Sequence, residues 1–338
     1  MSGNAANWFV ERHLQEGRAN KIAFREAWNS GRELSYQALS VQSGEVASAL
    51  YNSGIHREER AAMFVLDQLE FPTVFWGALK AGVQPVALNT LLSTDVYRTI
   101  LNDSRAAIAF ISFELVDVVL PAVKDSPYLR QVIVIGGDAP TGATAWADFI
   151  HGATTMSAIE CSGDEIAFWL YSSGSTGTPK GVRHVHDALQ VTCDTYGQGV
   201  LGIREDDTIY SAAKLFFAYG LGNGMSFPQS VGATALLFNG RPTPDSVSAI
   251  LEEYQPTIFC GVPTLYAALI HQWEEKGSTP SAPLRTCISA GEALPAELGR
   301  KWNALLGVDI MDGVGSTELL HIFLSNKPND IEYGTSGV

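Results

Sequence analysis

The sequence predicts an α/β fold, with mainly parallel β-sheets covered by helices on both faces. Three observations carry this. Short β-rich runs alternate with longer helix-like runs along the chain. Apolar residues make up 46% of the sequence and charged residues 17%, enough for a substantial core. The length of 338 residues suits two domains or one large α/β domain. Strands that alternate with helices form βαβ units, whose sheets are parallel and buried on both sides.

The elements follow in order. Ala61–Leu66 (AAMFVL) reads as a buried strand, and Phe71–Ala81 as a helix with Pro72 in its first turn. Val83–Leu88 is a strand, and Ser93–Asn102 a helix that Ser93 or Thr94 caps. Ala107–Ile111, Val132–Ile135 and Ile166–Tyr171 are further strands. Beyond residue 205 come a strand at Ala233–Phe238, a helix at Asp245–Glu253, a strand at Thr257–Cys260 and a helix at Thr264–Trp273. Cys287–Ser289 (strand), Pro295–Leu306 (helix) and Val308–Met311 (strand) complete the pattern. Gly136–Thr144 and Glu274–Pro283 are polar, turn-rich linkers. No internal repeat or low-complexity tract is present.

Composition narrows the partners. A net charge of −14 repels phosphate backbones and anionic lipid, which argues against nucleic acid and membrane surfaces. Cys161, Cys193, Cys260 and Cys287 lie far apart with no paired spacing, as expected for buried free thiols in a reducing compartment. The first residues lack a basic segment followed by an apolar one, and no apolar run approaches the roughly 18 residues of a membrane span. A cytoplasmic protein is the expectation. A homodimer is compatible with this surface.

Leu170–His186 reads LYSSGSTGTPKGVRHVH. An apolar strand delivers the chain to a loop of hydroxyls and glycines. Exposed N–H groups there form an anion-binding concavity, to which the hydroxyls add donors. Lys180 adds a mobile cation suited to polyphosphate. Each charge-assisted hydrogen bond contributes roughly 1.5–3 kcal/mol, so several together hold a triphosphate despite the acidic chain. The loop is not of the GxxxxGK[ST] type, because Pro179 replaces the second glycine and Gly181 follows Lys180. GLGNG at Gly220–Gly224 is too loose a pattern for a dinucleotide fingerprint.

The order SSGSTGTPKG resembles the phosphate loop of the adenylate-forming superfamily: acyl- and aryl-CoA ligases, luciferases and peptide-synthetase adenylation domains. The resemblance implies that Ser172, Ser173, Gly174, Ser175, Thr176, Gly177 and Lys180 clamp the ATP polyphosphate. DGVGSTE at Asp312–Glu318 resembles the second nucleotide motif, implying one nucleotide served by both turns. There Asp312, Gly313 and Val314 would border the adenine, with Gly315 and Ser316 following. Thr317 would bond a phosphate oxygen and Glu318 would hold Mg²⁺. Val314 stands where many members carry an aromatic residue. SAGEALP at Ser289–Pro295 resembles the segment lining adenine and acid, giving Gly291, Glu292 and Ala293 to the nucleotide. Lys180, Thr317 and Glu318 form the implied catalytic set.

FFAYG, DGVGSTE and HIFLSN together resemble benzoate-CoA ligases. By that resemblance Phe217 stands at the mouth of the acid pocket, with Ala218 and Tyr219 facing the substrate. His321 and Ile322 form one wall, and Ala290, Gly291 and Gly315 another. The implied activity is ATP-dependent conversion of an aromatic acid, benzoate first, to its CoA thioester through an acyl-adenylate. ATP, Mg²⁺ and CoA are the implied cofactors and co-substrates. Tyr219 and His321 leave room for a polar ring substituent, and anthranilate stays open. A carrier protein in place of CoA, or a non-catalytic ligand-binding remnant, are the alternatives.

The superfamily fold has two αβαβα subdomains followed by a small barrel and a mobile lid that carries the adenylation lysine. The resemblance therefore implies the large N-terminal domain alone, with the lid absent and little or no full activity. It places a first subdomain at 56–200 and a second at 1–55 plus 201–338.

Overall fold

The computed structural model describes residues 3–28, 31–172 and 177–337. The chain divides into two compact units, Met1–Lys21 with Ser35–Gln190, and Ile22–Leu34 with Val191–Val338. In chain order, β1 (Ile22–Glu26) and β2 (Glu33–Ser35) lead into the second unit's sheet. The first unit's sheet holds β3 (Arg60–Phe64), β4 (Gln84–Ala87), β5 (Ile108–Ser112) and β6 (Gln131–Ile135). It is completed by β7 (Thr144–Ala145), β8 (Ile166–Ser172) and β9 (Lys180–Val185). The second unit adds β10 (Thr208–Ser211), β11 (Thr234–Leu237), β12 (Ile258–Gly261), β13 (Thr286–Ala290), β14 (Ile310–Gly315) and β15 (Ile322–Ser325).

The first sheet has seven strands in the order β7-β6-β5-β3-β4-β8-β9, and the β8–β9 pair is antiparallel. The β3–β4, β3–β5, β4–β8 and β5–β6 pairs are parallel. Its central strands read as unbroken apolar runs, as burial on both faces requires. Helix Glu70–Lys80 is buried from Phe71 to its last residue, so it shows no solvent face. Gly77 lets helix Tyr36–Asn52 approach it, since an added Cβ would lie 2.6 Å from Val46. Lys80 ends the helix without reaching water. Its ammonium pairs with Glu11 at 2.5 Å and donates to Ser40 O at 2.8 Å, fastening the N-terminal segment.

The division differs from the expected one. Helix Tyr36–Asn52 packs in the first unit, as does the segment up to Lys21, where Ala5 N–H donates to His186 Nδ1. Only Ile22–Leu34 joins the second unit, because β1 pairs in parallel register with β11, Phe24 opposite Ala235. The crossing between units falls near residue 190 instead of 200.

Most predicted elements appear within one to three residues of their expected bounds. Ser93 sits at the start of helix Thr94–Ser104 but makes no side-chain cap, and Thr94 Oγ1 donates to Val118 O instead. Helix Pro263–Lys276 runs into the predicted linker. The four cysteines are free, and Cys161 is only half-buried. Among the described residues, no helix is long and apolar enough to cross a membrane, and no group of three or more His, Cys, Asp or Glu side chains is placed to hold a metal ion.

The second sheet has eight strands in the order β15-β14-β13-β12-β10-β11-β1-β2. Its core packs Tyr210, Phe259, Tyr266, Trp273 and Trp302 under the helices. After β11 the chain returns across β10 to lay down β12, so a topological switch point lies between β10 and β12. The amino ends of these strands are tied by one buried carboxylate, Asp207, which is 3% exposed. It accepts from Arg285 Nε at 2.8 Å, Thr257 Oγ1 at 2.7 Å and Arg204 N at 2.7 Å. Arg285, Thr257 and Asp207 immediately precede or lead into β13, β12 and β10, so one side chain aligns three strands.

Burial alone would raise the Asp207 carboxyl, but Arg285, Thr257 and the Arg204 N–H outweigh it and hold the group below the ordinary carboxylate value. Asp207→Asn is expected to lower stability by about 2–4 kcal/mol at neutral pH, read by denaturant unfolding. A depressed folded pKa gives stability that is present above the ordinary carboxyl value and lost as pH falls through the folded one. The gap between wild type and variant should therefore close in acid, and a gap that stays constant there contradicts the charge assignment.

Candidate functional site

Within the second unit a cavity of about 430 Å³ opens where the carboxyl ends of β10, β12, β13 and β14 converge. This is the crevice that a switch point creates in an open parallel sheet, and its size is typical of small-ligand pockets. Each strand contributes residues at or just past its carboxyl end. Ala212, Ala213 and Lys214 follow β10, Val262 follows β12, Ala290 and Gly291 end β13, and Gly315, Ser316 and Thr317 end β14. Every residue that the sequence assigned to the acid pocket lines this one cavity: Phe217, Ala218, Tyr219, Ala290, Gly291, Gly315, His321 and Ile322. Ala212, Ala213, Lys214 and Val262 were not singled out. Their only signal is position just past a strand, which sequence shows once the strand ends are known.

The FFAY run divides its work. Phe216 is buried, whereas Phe217 is 45% exposed at the edge of the cavity, in extended backbone just ahead of helix Ala218–Leu221. Tyr219 turns its ring to the cavity and its hydroxyl away, toward Gly261 O at 3.1 Å and Ile288 O at 3.0 Å. Burial, with Cys260 and Tyr196 adding to it, pushes this phenol well above its ordinary value, so it stays a donor. Gly261 closes β12, and Ile288 lies in the middle of β13. The hydroxyl is thus engaged by backbone.

His321 is 2% exposed and packs among Phe227, Tyr196 and Tyr219, with ring centres 4.4, 5.2 and 5.7 Å away. Its Nε2 lies 3.3 Å from Tyr219 O. A carbonyl only accepts, so Nε2 carries the proton and Nδ1 does not. Nδ1 is buried with no hydrogen-bond partner among the described residues. Gly222 makes room for the ring: an added Cβ would stand 2.3 Å from His321 Cδ2. Against the sequence expectation that Tyr219 and His321 leave room for a polar ring substituent, the Tyr219 hydroxyl and His321 Nε2 face backbone carbonyls, and His321 Nδ1 is buried.

The two segments assigned to the nucleotide lie side by side, since Ala290 is in register with Gly313. Gly291 adopts φ +91°, a conformation that favours glycine, and it is exposed together with Glu292 and Ala293. Val314 is 41% exposed. Asp312, in contrast, is 2% exposed and its carboxylate serves the fold, accepting from Ser336 Oγ at 2.8 Å and Leu294 N at 3.4 Å. A register shift between Val314 and Gly315 bends β14 before the turn. In that turn Ser316 Oγ accepts from Leu319 N at 3.2 Å, Thr317 reaches the cavity, and Glu318 stands exposed at the tip.

In the first unit, Ser172 and Lys180 face each other across the antiparallel pair β8–β9, and Lys180 is exposed. Gly177 has φ +77°, and an added Cβ there would meet nothing within 4 Å. Ser173, Gly174, Ser175 and Thr176 lie outside the described residues.

Comparison with known proteins adds to this geometry. A family model described as AMP-binding enzyme matches residues 10–338. The chain is 47% identical over 339 residues to a 4-hydroxybenzoate–CoA/benzoate–CoA ligase of Rhodopseudomonas palustris, covering 99% of this chain and 61% of the relative. It is 46% identical to a benzoate–CoA ligase of Thauera aromatica, covering 99% and 62%. A benzoate CoA ligase structure from Burkholderia xenovorans is 43% identical, with a TM-score of 0.88, covering 100% of this chain and 65% of that one. An anthranilate CoA ligase solved with anthranoyl-AMP is 38% identical with a TM-score of 0.94, covering 99% and 64%. The chain thus spans about three fifths of the length of the curated relatives it matches.

The environment of His321 generates a spectroscopic prediction. Burial pushes its pKa down to about 3, against a partial offset from Tyr219 O. The ring should stay neutral, as the Nε2–H tautomer, from about pH 8 to about pH 4.5, read from ¹⁵N shifts of labelled histidine. Because the folded value lies below the ordinary one, the unfolded chain takes up the proton first, and His321's contribution to stability declines as pH falls below about 6.5. A ring that titrates near pH 6.5 in the folded protein contradicts the packing described.

Proposed function

Because the chain belongs to the AMP-binding enzyme family, we propose that it activates an aromatic carboxylate, benzoate or a ring with small apolar substituents, for transfer to CoA. The observation that carries this is the second unit's cavity. Its walls are small and aromatic, and the polar tips of Tyr219 and His321 are engaged by backbone or buried. A flat apolar ring fits such a wall, and a ring hydroxyl would lose its hydration without gaining a partner. Both relatives' names include benzoate, which supports that acid, and the name of the Rhodopseudomonas palustris relative includes 4-hydroxybenzoate as well. Likeness to the anthranilate ligase supports a second reading, in which the ring carries an amino group beside the carboxylate.

In the proposed first half-reaction the carboxylate attacks the α-phosphorus of ATP. A C–O–P linkage forms, and the bond to pyrophosphate breaks. In the second half the CoA sulfur bonds to the acyl carbon, AMP departs with the C–O electron pair, and the thiol proton goes to solvent. No general base is needed in the first half, because the acid is already ionised at neutral pH. What that step requires is offset of charge between two anions. Lys180 is proposed for the polyphosphate and Thr317 for a phosphate oxygen. Glu318 is proposed for Mg²⁺, which commonly takes one or two carboxylates and completes its shell with phosphates and water. The exposed carboxylate at the turn tip suits that role. Ile322 is proposed as a limit on ring size. It packs over Gly313, where an added Cβ would lie 2.7 Å from Ile322 Cγ2.

Calorimetric titration with substituted benzoates tests the acid assignment. Benzoate and 4-fluorobenzoate should bind within a few-fold of each other, with 4-hydroxybenzoate roughly ten- to a hundredfold weaker. Ile322→Gly should narrow these differences and admit bulkier rings. Equal or tighter binding of 4-hydroxybenzoate by the wild type would sink the apolar-wall assignment. For the reaction itself, benzoate-dependent exchange between ATP and labelled pyrophosphate is the assay, and Lys180→Ala should weaken ATP without changing benzoate affinity.

A further inference from the structure

The mostly apolar lining of the second unit's cavity includes a lysine. Lys214, three residues past the end of β10, contributes to the wall. Among the described lining residues it is the only one whose side chain carries a permanent positive charge, and none of them is a carboxylate. Its position is fixed from two sides. The ammonium donates to Phe238 O, just past the end of β11, and stands 5.3 Å from the centre of the Phe238 ring. The backbone is held as closely: Phe217 N–H donates to Lys214 O at 3.0 Å, and Gly220 packs so near that an added Cβ would lie 2.0 Å from that oxygen.

A carboxylate that leaves water for an apolar cavity needs a counter-charge already in place, because a mobile one must first be ordered. The chain as a whole works against such a ligand, with a net charge of −14. We propose that Lys214 is a binding residue for the acid's carboxylate, a preorganised cation that makes this apolar cavity select anionic over neutral aromatic ligands. The inference rests on the reading of the cavity as the acid pocket and deepens it. The ring is chosen by shape, and the carboxylate by a single charge. The tether holds that charge at Phe238, just past the carboxyl end of β11, and the proposal has the ring end point away from it, toward His321 and Ile322.

The test compares benzoate with benzamide, which has nearly the same shape and no charge, by calorimetric titration of wild type, Lys214→Met and Lys214→Arg. Wild type should bind benzoate roughly tenfold or more tighter than benzamide, and added salt should shrink that ratio. Lys214→Met should bind benzamide as wild type does while losing the preference for benzoate, and Lys214→Arg should restore most of it. Should the methionine variant fail to fold, the salt dependence of the wild-type ratio decides alone. The proposal is overturned if Lys214→Met keeps the benzoate preference, if both ligands weaken equally, or if the wild-type ratio is flat with salt. Wild type that binds neither compound overturns the acid-pocket reading itself, and this inference with it.

Discussion

The register of four parallel strands is the constraint on which the cavity depends. In a parallel ladder every residue's neighbour is fixed once one pair is fixed. Ser211 beside Cys260, Gly261 beside Ser289 and Ala290 beside Gly313 bring the carboxyl ends of β10, β12, β13 and β14 to one level. A shift of one residue would turn the lining positions into the core and bring core residues to the crevice. Asp207 guards that register from the opposite end. Its carboxylate gathers Arg285 and Thr257 at the amino ends of β13 and β12, so the buried charge positions a cavity it never touches.

Polar side chains that read in sequence as candidates for ligand contact are occupied by this ladder's own needs. Buried backbone and side-chain polar groups must find partners. Tyr219 supplies Gly261 O and Ile288 O, His321 supplies Tyr219 O, and Asp312 receives Leu294 N and Ser336 Oγ. Motif matching names such residues but says nothing about where their polar atoms turn. That depends on which backbone groups the fold leaves unpaired, a property of tertiary structure.

The same distinction explains what was legible. The α/β class and the helices at Glu70–Lys80, Pro244–Tyr254 and Ala296–Leu306 follow from apolar period and turn chemistry, which are local. Helix Tyr36–Asn52 escapes because Ser40, Ser43, Gly44, Ala47 and Ala49 fill its buried face with small residues, which give no strong stripe. The strand β10 is four residues long, and β15 lies inside a stretch read only as a ligand wall. The placement of Ile22–Leu34 in the second unit was not legible at all. It depends on β1 pairing with β11 some two hundred residues away, and nothing local announces such a pair.

What remains is how an apolar cavity in an acidic chain keeps one electrical character across physiological pH. His321 lines it, and an exposed imidazole would change charge between pH 5 and 8. Here the ring is enclosed by Gly222 on one side and three aromatic rings on others, and burial holds it neutral. Glycine is what permits this: a Cβ at Gly222 would stand within 2.3 Å of the ring, and one at Gly315 within 2.9 Å of the His321 carbonyl oxygen. Tyr219, held protonated by its own burial, adds no charge either. The small residues around His321 therefore do more than make space. By letting the imidazole sink below the surface they remove it from the charge balance, and among the described lining residues the tethered ammonium of Lys214 is left as the one fixed charge.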